Sequence, residues 1–321
     1  MAKKKKNPLV TAGTLLPLAL GLGMNAAGPT KPAAHARGGG TARGAPLTIS
    51  CTLPFASIER PHPIDDACPA SGNSPAGSPQ AMQNQAKNNF CAAADKPVNI
   101  DFDVLHQLQQ DVSTNGISFG SDPQLPKDRS LLRQLPTKAG SIGEGTVVRL
   151  AAFVINAHAS NVGSGESVNC KRPDAESNDI HIVLGQNSNQ DDECSSVTAE
   201  MSPHFRPDIW DPTTLNQNNA HLYRFTGQLF FDASHRPCTG GTGPNPKRSS
   251  LWEIHPVYAV DICTDASNNC VVDSDANWVS LSDFVGAGTP SPETRLRMPV
   301  WLPGELRSTA APSQKRWLPQ L

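Results

Sequence analysis

Three acid–imidazole pairs stand near the ends of apolar segments: Asp179 with His181, Asp232 with His235 in FDASH, and Glu253 with His255 in WEIHP. Glu253 and His255 are two residues apart, so a regular strand presents them on one face. A carboxylate beside an imidazole can bind a divalent metal or move a proton. The same pair can make a buried hydrogen bond that fixes the mouth of a barrel. With no H-x-x-x-H or H-E-x-x-H spacing in the chain, that structural role outweighs a metal or catalytic one. The pattern names no metal and calls for no cofactor.

Five cations accompany these pairs. Lys171 and Arg172 lie in a polar loop over 156–178, and Arg236, Lys247 and Arg248 lie in a second loop over 232–250. On adjacent loops they could meet an anionic ligand, although ordinary solvated charge is the plainer expectation. The first loop has no aromatic residue on which bases could stack, which argues against single-stranded nucleic acid. GISFG at Gly116–Gly120 matches G-x-S-x-G, but a nucleophile elbow needs a strand before and a helix after. A Gln-rich helical stretch precedes Ser118 and a Pro-rich loop follows, so no nucleophile is expected there. The run Gly240-Gly241-Thr242-Gly243-Pro244 is not a phosphate loop, because Pro244 and Pro246 remove amide donors. A hairpin-type loop is expected instead.

These residues must be carried by strands. Thr146–Ile155, Asp179–Leu184, Ser195–Met201, Leu222–Phe231 and Leu251–Cys263 are apolar or alternating, the strand period. In the second, Ile180, Ile182 and Leu184 share a face. In the fourth, Tyr223, Phe225, Leu229 and Phe231 do. Pro256 in the last strand predicts an edge or a bulge. A partly helical stretch over Pro203–Leu215 separates the third strand from the fourth. Strand, strand, strand, helix, strand, strand is the order of an OB-type five-stranded β-barrel, and the two long loops fall where such barrels bind ligands. The fold class expected is mainly β with minor α. Upstream, helices are predicted over Gln80–Cys91, from an N-cap at Asp101 to about Val112, and as a turn over Asp128–Leu135 before Pro136.

The ends have a different composition. Residues 1–28 place Lys3 to Lys6 before an uncharged stretch from Pro8 to Met24 and then small residues, the order of a secretory signal peptide. The stretch is shorter than the ~20 residues of a membrane span. Residues 29–47 read as a disordered linker, 48–140 as a Cys-containing helical and loop segment packed on the barrel, 141–286 as the barrel, and 287–321 as a Pro-rich tail. Losing the leader lowers Lys+Arg from 27 to 23 against 29 Asp+Glu, a net charge near −6. That balance does not favour nonspecific binding to nucleic acid.

The eight cysteines are Cys51, Cys68, Cys91, Cys170, Cys194, Cys238, Cys263 and Cys270. An even number in an exported chain, with no C-x-x-C, predicts disulfides rather than zinc. Cys263–Cys270 and Cys170–Cys194 are the plausible local pairs, and at least one of the first three cysteines must pair across to the later region. The run from Phe225 to Cys263 resembles a recurrent pattern of exported bacterial proteins, G-x-L-x-x-D-x-x-H, a variable loop, then W-E-I-H-P-V. The likeness extends over about 50–285 and is most specific over 222–263. It implies a shared fold and one constellation of Asp232, His235, Glu253 and His255, and supplies no catalytic roles.

Together these features lead to a periplasmic or secreted binding module of the cell envelope or exterior, with no membrane span after cleavage. Its partner would be an envelope or extracellular ligand or protein. The alternatives are a metal-assisted hydrolase at the barrel mouth and weak oligonucleotide binding. Alkylation without reductant, read by mass spectrometry, should leave every cysteine of the mature protein unmodified; several alkylated thiols would refute the stapled reading.

Overall fold

A computed structural model describes residues 46–55, 58 and 61–288, which fall in one compact unit. The expected leader, nearly all of the linker and the tail beyond Gly288 lie outside the described residues. Helix α1 (Pro79–Lys87) is capped by the Ser78 side chain, and α2 (Phe102–Thr114) by Asp101, which accepts from the Val104 amide at 3.0 Å. Between them lies the short strand β1 (Val98–Ile100). A hairpin follows, β2 (Leu135–Thr137) with β3 (Gly140–Ile142). Then come β4 (Val147–Ala159), β5 (Ile180–Gly185), β6 (Val197–Met201), α3 (Pro212–Gln217), β7 (Leu222–Phe231), β8 (Trp252–Cys263), β9 (Trp278–Ser280) and α4 (Leu281–Gly288).

Five strands close on themselves in the order β4-β5-β6-β8-β7 and back to β4. Every pair is antiparallel except β6–β8, which is parallel. The result is a closed mixed barrel of OB type with the helix between its third and fourth strands, as the element order predicts. Its core takes alternate side chains: Val148 and Leu150 of β4, Ile180, Ile182 and Leu184 of β5, Phe225 and Leu229 of β7. Val104, Leu105, Leu108 and Val112 of α2 join this core. On the outer wall a second apolar cluster gathers Leu47, Phe90, Val147, Phe205 and Tyr258, which fixes the N-terminal segment against the barrel.

Some expectations hold and others need correction. Pro256 lies at a bulge, one of the two positions expected of it. On the other side β8 pairs with β6 only at Glu253 and Ile254 and with β9 only from Asp261, so among the described residues no strand pairs with Pro256 there. The bulge is real: the β7–β8 register shifts around Gly227, moving the inward set of β8 from Ile254 to Val257. A side chain on Gly227 would meet Ile254 Cγ2 and the Pro256 carbonyl oxygen, both at 2.5 Å. Most of Pro203–Leu215 is irregular, with a helix only from Pro212. The first predicted helix ends at Lys87, and a separate 3₁₀ turn covers Cys91–Ala94. Near Asp128 only Arg129–Leu132 turns, and Leu135 already belongs to β2. The hairpin and β1 have no strong sequence signal, because three-residue strands are too short to show a period.

The disulfides are Cys51–Cys91, Cys68–Cys170, Cys194–Cys238 and Cys263–Cys270, and no cysteine is free. The last matches expectation. Cys170–Cys194 does not form: Cys170 is held against the N-terminal segment by Cys68, and Cys194 staples the start of β6 to the second long loop. Among the described residues no helix is long and apolar enough to cross a membrane.

Two stability outcomes follow. Gly227→Ala should lower unfolding free energy by about 1–3 kcal/mol through overpacking, read as a lower urea midpoint; an unchanged midpoint would contradict the close approach. Removing Cys68–Cys170, which spans 102 residues, should destabilise by roughly 4–5 kcal/mol, against about 2–3 for Cys263–Cys270, which spans 7. Equal losses in the two double Cys→Ala variants would show that loop length is not what matters.

Candidate functional site

Because Ile180 and Ile182 point into the barrel, His181 between them points out. By the same alternation Glu200 leaves the outer face of β6, and Glu253 leaves that of β8 beside Ile254. Register brings these residues side by side: His181 is directly opposite Glu200, and Glu253 opposite Thr198. On a bare barrel this face would meet water. Here α1 and the loops over 160–179 and 232–251 lie across it, so His181, Glu200, Glu253 and His255 are all buried.

The roof is polar as well. From α1, Gln83 accepts from Arg129 at 3.1 Å and donates to Asp232 Oδ1 at 3.3 Å. Lys87 Nζ lies 3.4 Å from Glu166 Oε2 and 3.6 Å from Glu200 Oε2. Burial opposes the Lys87 charge, but Glu166, Glu200, Asp232 and Asp179 outweigh it and hold its pKa well above the ordinary lysine value.

Two groupings share this layer. In one, the buried Asp232 lies 2.6 Å from His235 Nδ1 and 3.8 Å from Arg248, and Arg248 pairs with Glu253. Burial pushes the Asp232 pKa up, yet His235, Lys87 and Arg248 hold it well below the carboxylate range. In the other, His181 Nδ1 meets Glu200 Oε1 at 2.9 Å, while His255 lies between Glu200 and Asp179, with Nδ1 2.9 Å from Glu200 Oε2 and Nε2 3.9 Å from Asp179 Oδ2. Burial would raise Glu200, but Lys87, His181 and His255 keep it well below its usual value. Asp179 goes the other way: burial pushes it up to about 7, against His255 and with Glu166.

All six acid and histidine residues singled out in the sequence therefore lie in one polar layer. Glu253 and His255 do share a face, but Glu253 belongs to Arg248 and His255 to Glu200 and Asp179. The sequence pattern missed Lys87, Glu166 and Glu200. Glu200 was legible as the outward residue of an alternating strand; Lys87 was not, because α1 turns Gln83, Asn84 and Lys87 inward and so has no apolar stripe.

The layer opens into a cleft of about 510 Å³. Asn156 and His158 of β4 and His181 of β5 form one wall. Ser160, Asn161 and Glu166 come from the first long loop, and His235, Asn245 and Lys247 from the second. His235 is 36% exposed here, and among the described residues its Nε2 has no hydrogen bond. Both predicted binding loops thus flank one cavity. The five cations do not form one patch. Lys247 is exposed at the rim, but Arg248 is buried and neutralised. Lys171 lines a neighbouring depression, Arg236 bends to the Gly120 carbonyl, and Arg172 does not line the cleft. Ser118 is exposed in an irregular stretch after α2, with neither elbow strand nor elbow helix. Gly240 and Gly241, both at positive φ, turn a small hairpin closed by Thr239 and Thr242, as expected.

Comparison with protein-family models, curated proteins and solved structures finds no match.

The opposed shifts give a pH profile. Glu200 and Asp232, held low in the fold, add stability above the ordinary carboxyl range, and this is lost as pH falls through their depressed values. Asp179 is raised, so its contribution is complete below 3.8 and is lost as pH climbs through about 7. In chelator-containing buffer the urea midpoint should fall across that interval, by on the order of a few kcal/mol in free energy. Asp179→Asn should flatten the decline; an identical slope in wild type and variant would contradict the assignment.

Proposed function

We propose that the protein is an exported, disulfide-stapled OB-type barrel that binds a small polar ligand in the cleft between its two long loops. The observation that carries this is the convergence of side chains from both loops and from β4, β5 and α1 on one cavity that presents hydrogen-bonding groups rather than an apolar floor. Four disulfides fit an oxidising compartment. The likeness of the Phe225–Cys263 run to exported bacterial proteins supports the same placement. Lys247 and His235 are the exposed groups that would meet the ligand first, with Asn161 and Glu166 opposite.

A second reading rests on the Asp232–His235 pair. An ionised, buried carboxylate beside Nδ1 fixes the imidazole tautomer and leaves Nε2 as the base, the arrangement of a general acid–base catalyst. The cleft would then hydrolyse its ligand rather than only hold it.

An NMR titration with glucose, glycine, inorganic phosphate and phosphate monoesters tests the first reading. Amide shifts should cluster at Asn161, Glu166, His235 and Lys247 and vanish in Lys247→Ala. Shifts confined to other surfaces would sink it. For the second reading, p-nitrophenyl acetate and bis(p-nitrophenyl) phosphate are the probes. His235→Ala should lower kcat by about 10²–10⁴-fold; turnover that survives the substitution would leave the pair a purely structural role.

A further inference from the structure

Behind the cleft wall, five atoms break the usual rule for buried polar groups. Asp179 Oδ1 and Oδ2, Glu200 Oε2, and both ring nitrogens of His255 have no hydrogen-bond partner among the described residues, and these five stand together where the other unpaired buried atoms are spread over nine residues. Buried polar atoms are nearly always satisfied, and so many unpaired together need a physical cause. Glu200 Oε2 and His255 Nδ1 are 2.9 Å apart but lie off the line a hydrogen bond requires. Asp179 and His255 are 1% and 0% exposed, so water cannot be assumed to fill the need.

Charge points the same way. Ion pairs in this layer link the acids Glu166, Asp179, Glu200, Asp232 and Glu253 to Lys87, Arg248 and His255, and Arg206 stands near Asp179 on the Asn178 carbonyl. Lys87 is shared between Glu166 and Glu200, and Arg248 between Asp232 and Glu253. Lys87 and Arg206 act on Asp179 through space, but among the described residues neither makes an ion pair with it. Carboxylates removed from water need a counter-charge, and the group in direct ion-pair contact with Asp179 is the His255 ring.

We infer that Asp179, Glu200 and His255 bind one divalent transition-metal ion between the barrel wall and α1. One ligand atom from each lies within 4.8 Å of the others, and all three residues are buried. A nitrogen and carboxylate oxygens are the donor set of zinc or manganese; magnesium and calcium favour oxygen alone. Glu200 is already oriented as a ligating carboxylate should be, because His181 holds its other oxygen at 2.9 Å. The three ligands sit on separate elements, the end of the first long loop, β6 and β8, so only the closed barrel assembles them. Glu200 also lines the cleft, which gives an entry path. The site does not depend on which ligand occupies the cleft.

The test uses the whole mature protein, stripped with chelator and dialysed against zinc or manganese chloride. Elemental analysis should find one ion per chain. Glu200→Gln and His255→Gln should each weaken binding at least 100-fold, while Arg236→Ala on the outer surface leaves it unchanged. No stoichiometric ion in the wild type overturns the proposal, as does full binding by either variant. Should both variants fail to fold, the wild type alone decides. Paramagnetic Mn²⁺ should broaden the amide signals of Ile180, Ala199 and Ile254 before any others; broadening centred elsewhere places the ion outside the triad and overturns it.

Discussion

Lys87 holds the molecule's second layer in place. A barrel built by alternation has an inside and an outside, and the outside of β5, β6 and β8 is acidic and imidazole-bearing. Covering such a surface removes charged groups from water, which is unfavourable unless each finds a counter-charge. Lys87 reaches Glu166 on the loop and Glu200 on the wall together, and so ties α1, the first long loop and the barrel to one point. Gln83, one turn earlier on the same helix, repeats the logic with Asp232 and Arg129. The helix therefore docks through its polar face.

Apolar packing and covalent bonds work around that charged layer. Phe90, directly after α1, is buried against Phe205 and Tyr258 on the outer wall. Cys68–Cys170 fastens the N-terminal segment to the loop that carries Glu166, and Cys194–Cys238 fastens the second loop to the start of β6. Both loops that frame the cleft are thus stapled near the residues they contribute. Long loops that would otherwise fluctuate are given fixed positions, which is what a preorganised binding site requires.

The same burial explains why the site divides into two chemistries. Asp232 has cations around it and stays ionised, so it orients His235 toward the cleft. Asp179 has the His255 ring beside it and Lys87 and Arg206 acting only through space, so burial prevails and its pKa moves up. Two aspartates in one layer differ because of which cations reach them. An acid–base pair at the opening and an unsatisfied triad behind it are consistent with a cleft that does more than hold a ligand.

What the chain determines by itself is periodicity. Alternation in Asp179–Leu184 and Leu222–Phe231, the helix between the third and fourth strands, and the cap at Asp101 are local properties, and they suffice for an OB-type barrel and for the two loops that flank its cleft. Local spacing also gives Cys263–Cys270. Only the tertiary structure decided the rest. Cys170 pairs with Cys68 rather than Cys194 because the N-terminal segment folds back over the wall. Glu200 joins His181 through strand register, and Lys87 joins both through the docking of α1. Arg248, one of five loop cations by sequence, is neutralised by Glu253 inside the wall. Each of these depends on which surface is covered, and coverage is set by contacts between residues far apart in the chain, where no period or spacing can record it.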